Sequence, residues 1–130
     1  MDEARLQELP LFSGLSKRAR KRIAPLVEEI AVAPGRELAH EGDLGYELFV
    51  IEEGRASVTQ GGEALTELGA GDFFGEIALH DDTRRRTSTV VATTPMRLAV
   101  LQGHDVRYIE RELPEVADQI RAAIEARAAR

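Results

Sequence analysis

Gly71-Asp-Phe-Phe-Gly-Glu-Ile-Ala-Leu79 runs through His80-Asp-Asp-Thr83 into Arg84-Arg-Arg-Thr-Ser-Thr-Val-Val-Ala92, and this stretch holds the residues best suited to chemistry. Gly75 permits close backbone approach or an unusual dihedral angle. Glu76-Ile77-Ala78-Leu79 is placed to start a short helical turn, whose free N–H groups and dipole make an anion site. Arg86, ten positions after Glu76, adds a planar cation. A guanidinium suits a phosphate because it gives two parallel charge-assisted hydrogen bonds. Glu76 would repel that phosphate and therefore needs another partner, a need that a sugar hydroxyl meets. A carboxylate and an arginine flanking a helix start describe a pocket for a sugar phosphate.

The elements that must position these residues have to come from one small domain. The chain has 130 residues, 43% hydrophobic and 31% charged, the balance of a folded protein with one core. No apolar run approaches the roughly 18 residues of a membrane helix, and Met1-Asp2-Glu3 does not open like a signal peptide. The absence of cysteine excludes disulfides and thiolate metal sites and makes the cytoplasm the expected compartment. A net charge of −6 argues against a polyanion partner, so a small anion must be met by local positive charge. Of the two basic clusters, Lys17 to Arg22 reads as the solvated face of a helix, whereas Arg84-Arg85-Arg86 lies inside the chemical stretch.

Apolar residues at Ala19, Ile23, Leu26, Val27 and Ile30 predict a helix over Leu15 to Ile30, capped by Ser16 and kinked or shortened by Pro25. Leu9-Pro10-Leu11-Phe12 is too short for an independent element. From residue 31 to residue 102 the texture changes. Turn signals at Pro34-Gly35, Glu41-Gly42-Asp43, Glu53-Gly54, Gly61-Gly62 and Gly69-Ala70-Gly71-Asp72 separate strand-like runs at Leu48–Ile51, Ala56–Gln60, Ala64–Leu68, Thr87–Thr93 and Leu98–Leu101. Short strands at near-even spacing predict a sandwich or rolled barrel rather than a parallel α/β sheet. After Gly103 the period is helical again, through Val106, Ile109, Leu113, Val116, Ile120 and Ile124, with Pro114 dividing two helices.

Phe74-Gly75-Glu76-Ile77-Ala78-Leu79, followed by Arg86-Thr87-Ser88-Thr89-Val90, resembles the phosphate-binding cassette of cyclic-nucleotide-binding domains. That family includes kinase A regulatory subunits, catabolite activators and gated channels. Leu11-Phe12-Ser13-Gly14-Leu15-Ser16, Pro34-Gly35 with Glu41-Gly42-Asp43, and Val50-Ile51-Glu52-Glu53-Gly54 are similar to further family signatures, so the likeness spans nearly the whole chain. The resemblance implies a mainly β fold with flanking helices: a double-stranded β-helix (jelly-roll or β-roll) over 31–102, with its cassette at 74–90. A helical segment at 1–30 precedes the roll and two helices at 103–130 follow it, in a single domain.

The resemblance also implies roles. Glu76 would accept from the ribose 2′-hydroxyl beside the Gly75 backbone and Ile77. The Ala78 N–H and Arg86 would hold the cyclic phosphate of cAMP or cGMP. Thr87 would add its backbone N–H, and its hydroxyl would reach the phosphate or a guanine amino group. The final helix would close over the base through Ile120, Ile124 or Arg127. Because the family's Glu-to-Arg spacing varies, Arg85 stays open beside Arg86 as the phosphate ligand. Ser88 stands where alanine is common and could add a hydroxyl to the pocket. His80-Asp81-Asp82 is read as a solvated loop tip, although acids approaching the phosphate would weaken binding.

The function implied is a non-catalytic regulatory sensor, with no cofactor and no metal, whose C-terminal helices move on ligand capture and offer a surface to an effector domain or a second copy. cAMP is the favoured nucleotide. Within these 130 residues no helix-turn-helix is expected, so the chain as given is not expected to read DNA, and it is either a stand-alone sensor or part of a larger effector protein. Two rivals remain: a family member that has lost its ligand and acts as an interaction domain, and a cupin metal protein using His40 and Glu47. The second lacks the cupin motif's further histidines, and His40, His80 and His104 are scattered. No serine lies in a Gly-x-Ser-x-Gly setting that would suggest a nucleophile.

Overall fold

A computed structural model describes residues 1–75 and 85–128, without the side chains of residues 123, 124, 127 and 128. The chain opens with a short helix that the sequence pattern did not reveal, α1 (Glu3–Glu8), started by Asp2, whose side chain accepts from the Ala4 N–H at 2.7 Å. Its one fully buried residue, Leu6, is too little to show a helical period. A 3₁₀ turn at Pro10–Phe12, where no independent element was expected, buries Leu11 and Phe12.

Helix α2 (Lys17–Ile23) starts as expected at Ser16, whose hydroxyl accepts from the Ala19 N–H at 3.2 Å. It does not reach Ile30. Pro25 has no N–H to continue the helical ladder, so the chain tightens into a 3₁₀ turn at Ala24–Leu26 and re-emerges as strand β1 (Glu28–Val32). Val27 and Ile30 therefore belong to different elements from Ile23, and the strands begin at Glu28 instead of residue 31.

Seven further strands follow: β2 (Glu37–Ala39), β3 (Glu47–Glu53), β4 (Ala56–Gln60), β5 (Glu63–Leu68), β6 (Phe73–Phe74), β7 (Thr89–Ala92) and β8 (Met96–Gln102). They form two antiparallel sheets, ordered β1-β8-β3-β6 and β2-β7-β4-β5. β3 is apolar from Leu48 to Ile51 because both of its faces are covered. Leu48 and Val50 join a core beneath the helices, while Phe49 and Ile51 join a second core between the sheets with Val58, Val90, Leu98 and Val100. A register slip of one residue would exchange these two sets, which fixes the pairing.

Helices α3 (Gly103–Glu112) and α4 (Pro114–Ala128) close the chain, with Pro114 at the first position of α4, where its missing N–H costs nothing. Val106, Ile109, Leu113, Val116 and Ile120 are buried with Leu6, Phe12 and Ile23, which packs the N-terminal and C-terminal helices into one layer on the β1-β8-β3-β6 sheet. Each such apolar side chain stabilises the fold by about 1.5–3 kcal/mol. α1 is also held by charge. Arg5 reaches Glu29 on β1 at 2.7 Å and Glu52 on β3 at 2.6 Å, and Arg97 on β8 meets Glu29 at 3.3 Å. The mainly β architecture with helices at both ends agrees with the expected fold class.

Candidate functional site

β3 and β6 build the floor of the candidate site. Phe49 pairs with Phe74 across the two strands, and their rings stack with centroids 4.8 Å apart and planes within 12°. After Phe74 the backbone turns at Gly75, whose φ of +97° is a conformation that side-chain-bearing residues rarely adopt. The chain returns to the described residues at Arg85, which makes an isolated antiparallel bridge with Leu44. Arg86 is pinned on both sides of its backbone: its N–H donates to the Asp43 carbonyl at 2.7 Å, and its carbonyl accepts from the Gly42 N–H at 2.9 Å. With its main chain tied to the loop before β3, its side chain turns inward.

Among the described residues Arg86 is the only polar or charged one that is buried as a whole residue, backbone included, at 8% exposed. Its guanidinium donates from Nη1 to the Gly75 carbonyl at 3.3 Å and from Nη2 to the Glu47 carbonyl at 3.2 Å, and its centre lies 5.8 Å from the Phe49 ring centroid. A buried cation is costly unless it is hydrogen-bonded, and here neutral carbonyls and an aromatic face hold its plane. Gly75 is a structural requirement of this arrangement. A Cβ there would stand 2.5 Å from the Glu47 carbonyl oxygen and 2.6 Å from Arg86 Nη1.

The neighbouring arginine behaves differently. Arg85 is exposed and donates from Nη1 to the Gly42 carbonyl at 2.9 Å. Of the expected site residues, Phe74, Gly75 and Arg86 come together, and Arg85 turns outward. Thr87 is exposed and Ser88 half-buried, at the head of β7. Glu76, Ile77 and Ala78 lie outside the described residues, as do the His80-Asp81-Asp82 tip, Arg84, and the side chains of Ile124 and Arg127. Ile120 is buried in the helical core with Val116 and Leu113.

Sequence reasoning missed Phe49 and the backbone of Glu47 and Asp43, which orient Arg86. Only the strand register shows that Phe49 lies across from Phe74. His40 and Glu47, the pair weighed for a metal, do not form a ligand set. His40 Nδ1 is 3.0 Å from Glu37, and that hydrogen bond raises its pKa. Among the described residues no three metal-ligating side chains converge, and no helix is long and apolar enough to cross a membrane.

The backbone also ties this site to the C-terminal helices. The Gly103 N–H, at the start of α3, donates to the Tyr46 carbonyl at 2.6 Å. The next carbonyl along, that of Glu47, holds Arg86.

Comparison with known proteins agrees with this fold. The sequence profile of the family described as cyclic nucleotide-binding domain matches residues 29–111. A cAMP-dependent protein kinase regulatory subunit of Hypocrea atroviridis is 39% identical over 101 residues, covering 78% of this chain and 22% of that protein. The catabolite activator protein of Thermus thermophilus superposes with a TM-score of 0.80 at 29% identity, over 92% of this chain and 58% of that one. A protein of Geobacter metallireducens has the same fold, with a TM-score of 0.84 at 21% identity over 97% of this chain and 94% of that one. The chain spans about a fifth to a third of the length of curated relatives such as these kinase subunits and a potassium channel of Rhizobium etli, which it covers by 22% and 31%.

Proposed function

The chain belongs to the cyclic nucleotide-binding domain family, a family of regulatory ligand-binding modules, and from that premise we propose that it is a non-catalytic sensor of cAMP. In this reading residues 1–130 act as one domain, with the phosphate-binding cassette at 74–90. Arg86 takes the cyclic phosphate together with the Ala78 N–H, Glu76 takes the ribose 2′-hydroxyl, and Gly75, Ile77, Thr87 and Ser88 complete the wall. The observation that carries it is the buried guanidinium of Arg86, held in a fixed plane against Gly75. A preoriented guanidinium binds a phosphate without first losing rotamer freedom, which raises affinity. The kinase regulatory subunits among its relatives bear cAMP in their names, which supports cAMP over cGMP.

Signal transfer follows from the same strand entry. Tightening of Arg86 on a phosphate pulls on the Glu47 carbonyl, and the adjacent Tyr46 carbonyl anchors the start of α3. Ligand binding shifts α3 and α4 only to the extent that the nucleotide prefers the shifted state.

Titration calorimetry with cAMP and cGMP on wild type and Arg86→Ala tests the reading. Loss of Arg86 removes the main cation facing the phosphate and is expected to cost about 2–5 kcal/mol. A wild-type protein that binds neither nucleotide at millimolar concentration would instead favour the ligand-free interaction domain.

A further inference from the structure

The inner face of β3 carries one charged side chain that the sugar-phosphate reading leaves unused. Side chains alternate along the strand: Leu48 and Val50 enter the core beneath the helices, while Phe49 and Ile51 enter the core between the sheets. Alternation therefore puts Glu47 on the same inner face as Phe49, the ring over which Arg86 lies. The Glu47 carbonyl is itself a hydrogen-bond acceptor for Arg86 and the nearest atom to a Cβ at Gly75. Glu47 is half-buried, and its carboxylate makes no ion pair or hydrogen bond among the described residues.

We propose that the Glu47 carboxylate is a charge filter, which offsets the pull of Arg86 and so shifts the site's preference from a doubly charged phosphomonoester towards a singly charged phosphodiester. This rests on Arg86 being the phosphate ligand. At neutral pH a carboxylate only accepts hydrogen bonds. A phosphodiester offers it no proton, so its interaction with a bound phosphate is repulsive. Coulomb repulsion scales with the ligand's charge. A cyclic phosphodiester carries one negative charge, whereas a monoester carries about 1.5 to 2 at neutral pH. The same carboxylate therefore penalises the monoester nearly twice as much in free energy, which squares the fold-change. Linear nucleotides, the hydrolysis products of cyclic ones, share base and sugar with them, so charge is a property by which they can be told apart.

The test is calorimetry of wild type, Glu47→Gln and Glu47→Asp with adenosine, cAMP and 5′-AMP, at one moderate salt concentration. Glu47→Gln should bind cAMP about threefold and 5′-AMP about tenfold more tightly, with adenosine unchanged, as expected for one partly screened charge. Glu47→Asp should keep the wild-type ranking. Glu47→Thr, a second neutral side chain that suits a strand, should repeat the Gln result, and melting curves verify that each variant is folded. An equal change for all three ligands would mean altered packing and overturn the filter, as would weaker cAMP binding or an unchanged ranking. If wild type binds neither cAMP nor 5′-AMP, the sensor reading fails together with the filter. Wild-type binding with an unaltered ranking in the neutral variants sinks the filter alone.

Discussion

Gly75 and Arg86 share one small volume: the position of a Cβ on Gly75 lies 2.6 Å from Arg86 Nη1, and the Gly75 carbonyl accepts a hydrogen bond from that same nitrogen at 3.3 Å. The glycine admits the guanidinium and also orients it. Gly75→Ala should therefore act on the ligand through the arginine. It forces a side chain into a φ of +97° and pushes Nη1 from its carbonyl. Strain of this kind costs on the order of 1–3 kcal/mol. Cyclic nucleotide affinity is expected to drop at least tenfold in calorimetry, with a smaller loss of thermal stability. Full affinity in a folded Gly75→Ala protein would mean that Arg86 does not need this seat.

Arg85 and Arg86 are adjacent in sequence and opposite in placement, one exposed and one buried. Lysine at position 86 keeps the charge but cannot span the Gly75 and Glu47 carbonyls with a planar fork. Arg86→Lys should weaken cAMP binding by about tenfold or more, and Arg85→Ala by no more than about threefold, the scale of an exposed charge. Displacement of a fluorescent cyclic nucleotide measures both. The reverse order would assign the phosphate to Arg85.

Much of the fold is legible in the sequence, and where it is not the causes are local. Ala56–Gln60 was legible as a strand because turn signals at Glu53-Gly54 and Gly61-Gly62 bound it, and Pro114 as a helix start because proline fits there. α1 was hidden because one buried leucine carries no period, and β1 because Ile23, Val27 and Ile30 imitate a helical stripe. The choice between Arg85 and Arg86 depends on backbone pairing with Gly42 and Asp43, some forty residues distant. That pairing is tertiary and leaves no local pattern. The same holds for Phe49, whose place beneath Arg86 follows from its register with Phe74.

A second glycine, Gly54, tests the scaffold apart from the site. It sits between β3 and β4 with φ of +95°, and a Cβ there would lie 2.3 Å from the Pro95 carbonyl oxygen and 3.0 Å from Met96 Cα. Both obstacles are backbone, so neither yields by a rotamer change. Gly54→Ala combines strain with overpacking, together about 2–5 kcal/mol. The melting midpoint should fall by roughly 10 °C or more. Nucleotide affinity of the protein that remains folded should be close to wild type, because Gly54 does not touch Arg86. A midpoint within a degree or two of wild type would show that the β3–β4 turn can move away from Pro95.

Glu52 gives the fold a pH dependence of unusual sign. Its side chain is 8% exposed, and Oε2 is buried with no hydrogen-bond partner among the described residues. Burial raises its pKa, the nearby Glu29 carboxylate raises it further, and Arg5 opposes both. A proton on Glu52 removes the repulsion and supplies a hydrogen bond to Glu29. Because the folded pKa lies above the unfolded one, the folded chain binds that proton more tightly. The stabilisation is complete below the ordinary glutamate range and is lost as pH rises through the folded pKa, so above that pKa the charged Glu52 is a cost. Glu52→Gln copies the protonated acid: its carbonyl can accept from Arg5 and its amide can donate to Glu29. The variant should melt higher than wild type above the folded pKa of Glu52, and the gap should close as pH falls from that raised pKa to the ordinary glutamate range. Glu52→Ala, which leaves Arg5 with Glu29 alone, should melt lower than Glu52→Gln at both ends. Thermal melts from mildly acidic to neutral pH measure all three, and a Glu52→Gln protein that is less stable than wild type at neutral pH would mean that Arg5 outweighs burial and Glu29, leaving Glu52 charged and favourable.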